Sequence, residues 1–411
     1  MSPKSPVRAA DLRGVSRLAI DAVTGLTDLV EAMHHNIGSA SSMVGIAPKG
    51  RTSGITGMVY GSIRGVTRMV GGGLDSLLAR LNSLLGEGAS PPTREALIAV
   101  LNGVLGDYLV ATGNPLAIPM TLRLDGRPLN LATGRMNAVA VRARAHPGKL
   151  LILVHGLCMS DQQWTRHGHD HGAALARDLG YTPLYLHYNS GLHVSTNGRE
   201  FASMLEALVH AWPVPVTDLT IVGHSMGGLV ARSACHFGHA AGHTWPRVLR
   251  HLIFLGTPHH GAPLERGGNW VDLLLSVSPY SAPLARLGKI RSAGVTDLRY
   301  GLLLDEDWEG RDRFARRRDA RTPVPLPAGV GCYAIAVTTG AAAGDARDRM
   351  LGDGLVPLAS ALGRHPKPER ALPIPEENQW VRYGMNHLDL LSSPEVYAQI
   401  RRWLEAAQRK G

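Results

Sequence analysis

The stretch Thr220-Ile221-Val222-Gly223-His224-Ser225-Met226-Gly227-Gly228 runs an apolar segment into a Gly-x-Ser-x-Gly turn, and the pattern of 229–236 continues as a helix. A serine hydroxyl is a weak nucleophile, so one that reacts has to project from a tight turn toward a base. Glycines at 223 and 227 admit the strained backbone and the close helix packing that such a turn requires. The spacing predicts a strand, a nucleophile elbow and a helix centred on Ser225. His224 adjoins the serine, but adjacency does not make it the base; it is read as part of the elbow's frame.

Attack on an ester carbonyl develops negative charge on oxygen, which preorganised backbone N–H groups can hold. Met226, directly after the nucleophile and at the start of the helix, offers one such donor. Upstream, Leu153-Val154-His155-Gly156-Leu157 ends a short apolar run (149–154) in a glycine that permits a sharp turn, and Leu157 is the second donor expected. His155 and Gly156 are then expected to frame the site.

After an elbow of this kind the acid and then the histidine follow in chain order. Of the 19 histidines only His365 and His387 follow the last expected strands. His387 lies in Tyr383-Gly384-Met385-Asn386-His387-Leu388, a polar loop entering an apolar helical pattern, and is the expected base; His365, between Arg364 and Pro366, reads as an exposed loop residue. Asp353, in Gly352-Asp353-Gly354-Leu355-Val356-Pro357, sits in a turn beyond the strand expected at 331–337 and is the expected acid, with Asp345 and Asp348 as alternatives. Asp389 is too close to His387 in sequence to be preferred.

From residue 120 onward the chain alternates strand-like and helix-like runs. Strands are expected at 120–124 and 138–145, with Asp125-Gly126 as a turn between them, and at 149–154, 182–187, 219–222, 251–255 and 331–337. Helical patterns separate the later ones, as parallel strands with crossovers require. The stretch 261–321 is far longer than an ordinary connection yet carries apolar clusters, so it reads as a structured cap. Trp270, Leu273, Leu274, Leu302 and Leu303 are its candidate contacts with substrate.

Taken together, Gly-His-Ser-Met-Gly-Gly, the earlier His-Gly-Leu, Gly256-Thr257-Pro258-His259-His260-Gly261, Gly-Asp-Gly-Leu-Val-Pro and Asn-His-Leu resemble the bacterial lipase and GPI-inositol-deacylase-like branch of the α/β-hydrolases, over roughly residues 120–405. The resemblance implies an α/β fold with a mostly parallel sheet flanked by helices, hydrolysis of acyl lipids or related esters, no cofactor and a variable cap. It places His259 and His260 behind the serine. Adjacent histidines without a convergent carboxylate are poor metal ligands, and no metal is expected. The same triad could instead pass its acyl group to an alcohol or take it from a thioester, and a reading of another class is an inert hydrolase fold serving as a membrane-associated interaction module.

The first 112 residues fall outside that resemblance and read as a helical accessory segment, with residues 113–411 as the catalytic domain. Apolar residues recur at helical spacing over 11–34 and 55–84, and Thr93 is a candidate cap for a third helix carrying Leu97, Leu101, Leu105 and Leu109 on one face. Gly57, Gly61 and Gly65 offer a close-contact face, while Arg64 and Arg68 argue against a bilayer span. The net charge of +10 suits anionic partners, but no nucleic-acid-binding motif accompanies the arginine-rich run at 311–321, so no nucleic acid is expected. The helices are expected to pack against the catalytic domain, with peripheral contact with an anionic membrane as the alternative reading, beside the ester substrate as partner. Three cysteines in no paired spacing and no secretory signal pattern place the expected location in the cytoplasm, peripheral to the inner membrane.

Overall fold

The computed structural model describes residues 10–18, 92–131, 146–262, 291–313, 319–342 and 352–409. Two compact units divide the chain: residues 1–91 with 109–117, and residues 92–108 with 118–411. In the first, residues 10–18 are helical, Leu12 and Val15 of the expected apolar stripe are exposed, and Asn114 Nδ2 donates to the Gly14 carbonyl (3.1 Å). The rest of the pattern at 11–34 and all of 55–84, including Gly57, Gly61, Gly65, Arg64 and Arg68, lies outside the described residues, as does the strand expected at 138–145.

The second unit holds an eight-stranded sheet in the order β2-β1-β4-β3-β5-β6-β7-β8. The strands are β1 (Thr121–Leu124), β2 (Arg127–Pro128), β3 (Lys149–Val154), β4 (Thr182–His187), β5 (Asp218–His224), β6 (Leu249–Leu255), β7 (Gly331–Thr338) and β8 (Gln379–Tyr383). β1 pairs antiparallel with β2 and β4, and every other pairing is parallel. The Asp125-Gly126 turn forms with both residues at positive φ (51° and 73°), but its second strand is the immediate Arg127–Pro128, not the segment expected at 138–145. β8 was not foreseen.

The central strands are buried on both faces, which is why Leu150 to Val154 read as an unbroken apolar run. Alternate side chains feed two cores. Leu150, Ile152 and Val154 pack with Phe201 and Leu205 of α3 (Val194–Ala211) and Leu229 and Val230 of α4 (Met226–Ala240). Leu151, Leu153, Val222, Ile253 and Ile335 pack with Val396, Ile400 and Leu404 of α7 (Pro394–Gln408). Each such side chain contributes about 1.5–3 kcal/mol by leaving water. The ends of the flanking helices are closed locally: in α2 (His171–Leu179) Asp170 accepts from the Ala173 N–H and Gly180 ends the helix at φ 73°, and in α7 Ser393 caps with Pro394 in the first turn. This mostly parallel sheet flanked by helices is the α/β-hydrolase fold.

Helix α1 (Pro92–Ala111) starts at Pro92, so Thr93 lies inside its first turn instead of capping it. Its leucine stripe is buried only in part, with Leu97 43% exposed, Leu101 and Leu105 half-buried and Leu109 buried, while Ala99, Val100, Asn102, Gly103, Val104 and Gly106 are buried beside it. The helix seats itself through its small residues. A Cβ on Gly103 would lie 2.3 Å from Cys158 Sγ, and one on Gly106 would lie 1.9 Å from Asn189 Oδ1. The part Pro92–Tyr108, grouped by sequence with the accessory segment, therefore belongs to the unit that holds the sheet. Two further short helices, α5 (Ala293–Asp297) and α6 (Leu358–Ala361), flank β7 in sequence.

Candidate active site

β5 ends at His224, and Ser225 takes φ 53°, ψ −125° before α4 begins. That conformation is one L-residues rarely adopt, and it is held from both sides: the Ser225 N–H donates to the Leu255 carbonyl (2.8 Å) and its carbonyl accepts from the Gly228 N–H (3.1 Å). The glycines are required by contact. A Cβ on Gly227 would lie 2.2 Å from the Val154 carbonyl oxygen, and one on Gly228 2.0 Å from Thr257 Oγ1.

The turn after β3 faces this elbow. A Cβ on Gly156 would sit 3.0 Å from Ser225 Cβ and 3.2 Å from His224 Nδ1. The turn is fixed by the Tyr188 hydroxyl donating to the His155 carbonyl (2.8 Å), by the His155 ring stacked on Tyr188 (4.3 Å), and by Ser190 Oγ accepting from the Cys158 N–H (3.0 Å). Cys158 carries φ 58°, which turns the backbone sharply after Leu157. Neither the Leu157 N–H nor the Met226 N–H has a hydrogen-bond acceptor among the described residues. Burial holds the His155 pKa down to about 3, so its ring is neutral.

Asp353 and His387 come together. His387 Nδ1 lies 2.6 Å from Asp353 Oδ2, and the His387 N–H donates to the Asp353 carbonyl (3.0 Å). The other carboxylate oxygen, Oδ1, accepts from the N–H groups of Leu355 (2.9 Å) and Val356 (2.8 Å). With Nδ1–H donating to the carboxylate, Nε2 is the acceptor nitrogen of the ring, and it has no partner among the described residues, Ser225 Oγ included. His387 also packs against the elbow: its ring lies 4.7 Å from that of His224, whose Nε2 bonds the His387 carbonyl (3.2 Å). Burial, reinforced by the neighbouring His387, drives the His224 pKa well down, consistent with a framing residue.

The Ser225 turn and the turn after β3 both lie within residues 146–323, over which the chain matches the family model described as the PGAP1-like alpha/beta domain. Over those residues the chain is similar to that domain. Asp353 and His387 follow the matched part of that domain. Solved structures similar to this chain include the mature Bacillus licheniformis lipase BlEst2 (18% identity, 63% of this chain and 91% of that chain, TM-score 0.40). Others are Staphylococcus hyicus lipase (12%, 64% and 97%, 0.36) and the Pyrococcus furiosus esterase Pf2001 (13%, 63% and 81%, 0.37). These likenesses are too distant to carry residue roles. No curated protein matches the sequence.

The remaining candidates are scattered. Trp270, Leu273 and Leu274, with the alternative acids Asp345 and Asp348, lie outside the described residues. Leu302 lines a cavity of about 450 Å³ together with Tyr300 and Trp308 of the cap, whose described wall does not include Ser225. Leu303 is instead buried in the core, its carbonyl accepting from Ser233 Oγ (2.7 Å). His259 contacts Arg232 and Phe254, and the alternative base His365 is partly exposed with its ring against His260. Asp389 accepts from the Asn386 N–H (2.9 Å). Among the described residues no group of three His, Cys, Asp or Glu side chains converges as metal ligands would, and no helix is long and apolar enough to cross a membrane.

The unit that holds the sheet also contains a charged network that sequence reading missed. Asp161, just after the turn that follows β3, pairs with Arg123 of β1 (2.9 Å) and lies 2.9 Å from His187 Nδ1 of β4, while Arg123 approaches Glu95 of α1 (3.6 Å). These four side chains are 7–15% exposed and come from four separate parts of the chain, so no local pattern announces them.

Proposed function

We propose that this chain hydrolyses carboxylic esters, of acyl lipids or related compounds, through an acyl-enzyme on Ser225. The observation that carries the reading is the buried Asp353–His387 pair, whose unpartnered Nε2 belongs to a ring packed against the serine elbow. In the proposed mechanism His387 Nε2 takes the Ser225 hydroxyl proton as Oγ attacks the ester carbonyl. Asp353 stays ionised, holding the tautomer and stabilising the imidazolium. The Leu157 and Met226 N–H groups hold the oxyanion. His387 returns its proton to the leaving alcohol, and water, deprotonated by the same nitrogen, releases the acid. The absence of an Nε2 bond to Ser225 is compatible with this role, because such bonds often tighten only with substrate in place.

A serine-directed fluorophosphonate probe tests the central step. Covalent labelling of the native protein, absent in Ser225→Ala, is expected. No labelling of native, folded protein would favour the inert-module reading, and labelling with acyl transfer to added alcohol faster than hydrolysis would favour the transferase.

A further inference from the structure

A second cavity of about 160 Å³ is lined by Arg232, His259, His260, Arg321, Glu369 and Arg370, together with Gly301, Leu303 and residues 322–325 and 371–373. Arg232, from the middle of α4, is 5% exposed. Its Nη2 donates to the Val324 carbonyl (2.6 Å) and its Nη1 to His259 Nδ1 (3.3 Å), and its Nε has no partner among the described residues. No carboxylate pairs with it among the described residues. A buried guanidinium without a counter-ion is costly, because the charge keeps little of its hydration.

The neighbouring groups sharpen the need for an acceptor. Arg321 Nη1 donates to the His259 carbonyl (2.9 Å) and Nη2 to His260 Nδ1 (2.7 Å). Arginine can only donate, so both imidazoles accept at Nδ1 and carry their proton on Nε2. His259 is 1% exposed and its Nε2–H has no acceptor among the described residues. Asp319 neutralises Arg370, through an ion pair, and Arg321 (3.6 Å). The cavity wall carries three guanidiniums and one carboxylate, Glu369, and its three buried atoms without partners among the described residues, Arg232 Nε–H, His259 Nε2–H and His260 Nε2–H, are all donors. Burial together with the nearby Arg321 depresses the Arg232 pKa to about 10, which still leaves it charged at neutral pH.

We infer that this cavity is a binding site for a compact phosphoryl oxyanion, held by Arg232, His259 and Arg321. It is separate from the serine chemistry: its wall does not include Ser225, Asp353 or His387. A phosphate group matches the site in being acceptor-only, negatively charged and small enough for the volume, and arginine forks suit its oxygens. The source can be the free ion or the headgroup of a phospholipid.

The test is thermal unfolding of the full-length protein in inorganic phosphate, in monomeric dihexanoyl phosphatidylglycerol, and in sodium acetate and sodium chloride of matched ionic strength. At a concentration about a hundredfold above Kd, a rise in Tm of about 4 °C or more over chloride is expected. A response to phosphate assigns the free ion, and a response to the lipid alone assigns the headgroup. Arg232→Met should raise the Tm without phosphate, by removing an unpaired buried charge, and abolish the increment with it. Arg321→Gln, a second variant should the first not fold, should abolish the increment too. The proposal is overturned if neither ligand exceeds chloride, if acetate matches phosphate, or if both variants keep the native increment.

Discussion

His387 Nδ1 lies 2.6 Å from Asp353 Oδ2 while the opposite oxygen of the same carboxylate is occupied by the N–H groups of Leu355 and Val356. The carboxylate is thus fixed in orientation by its own turn. An asparagine at 353 would have to point its carbonyl oxygen at those two N–H groups and its NH₂ at the imidazole. His387 Nδ1 would become an acceptor and Nε2 would carry the proton, the wrong tautomer for a base. Asp353→Asn is expected to lower kcat on a p-nitrophenyl ester about ten-thousandfold without loss of fold. Near-native turnover would take the acid role away from Asp353.

Removing the nucleophile and relieving its backbone are separable effects. Both Ser225→Ala and Ser225→Gly should lower kcat about a million-fold. Ser225 is held at φ 53°, ψ −125°, where an alanine stays strained and a glycine does not. The glycine variant should be the more stable of the two by about 1 kcal/mol in urea denaturation. Equal midpoints would mean that the elbow stores no strain.

Gly156→Ala tests the oxyanion turn. The added methyl would lie 3.0 Å from Ser225 Cβ, 3.2 Å from His224 Nδ1 and 3.3 Å from Met159 Sδ, so the turn or the serine must give by a few tenths of an ångström. A loss in kcat of about ten- to a hundredfold is expected, since displacements on that scale misplace donor and nucleophile. Unchanged kcat, with circular dichroism as native, would remove this turn from the reaction.

Acid should destabilise the protein through its buried histidines. Burial depresses His155 to about 3 and His171 to about 4, the latter neutral between His169 and the Leu390 carbonyl. Their folded values lie below the ordinary 6.5, so below that pH the unfolded chain binds protons that the native state refuses. Stability is therefore intact above about pH 6.5 and falls as pH drops toward 4, by about 1.4 kcal/mol per pH unit for each histidine. Urea denaturation at pH 7 and pH 5 should show the drop, and His171→Asn should reduce the slope by about one proton. A slope unaltered by that variant would place the proton uptake elsewhere.

Membrane contact of the first 112 residues, the alternative to packing alone, is tested by flotation with neutral and anionic vesicles at low and high salt. Flotation with anionic vesicles alone, lost in salt, is the result that contact requires. Indifference to both vesicle types would end the membrane reading.

The parts of the fold that sequence announces are those with a local cause. Parallel strands buried on both faces leave apolar runs, as at 149–154, and the elbow leaves glycines where contact with Val154 and Thr257 forbids a Cβ. Asp353 and His387 were legible as a pair because turn glycines and chain order narrow the choice. β8 was not, because its side chains are only half-buried and alternate weakly. The leucines of α1 told only part of its docking: Leu109 is buried as the period suggests, but Leu97 is exposed, and the helix also docks through glycines that carry no hydrophobic signal. The Arg123–Asp161–His187 network and the Arg232 cavity arise from side chains far apart in sequence, which no window of residues can reveal.

Ser225, Asp353 and His387 follow β5, β7 and β8 in the chain, and β8 is an edge strand, joined to the sheet by a single parallel pairing with β7. Parallel pairings close long loops and form slowly. The serine elbow needs β3, β5, β6 and α4 but not β8, so it can be native while the base is still unplaced. Return of esterase activity during refolding would then lag behind return of the β5–β6 core, making catalysis a clock for the arrival of the sheet's last strand.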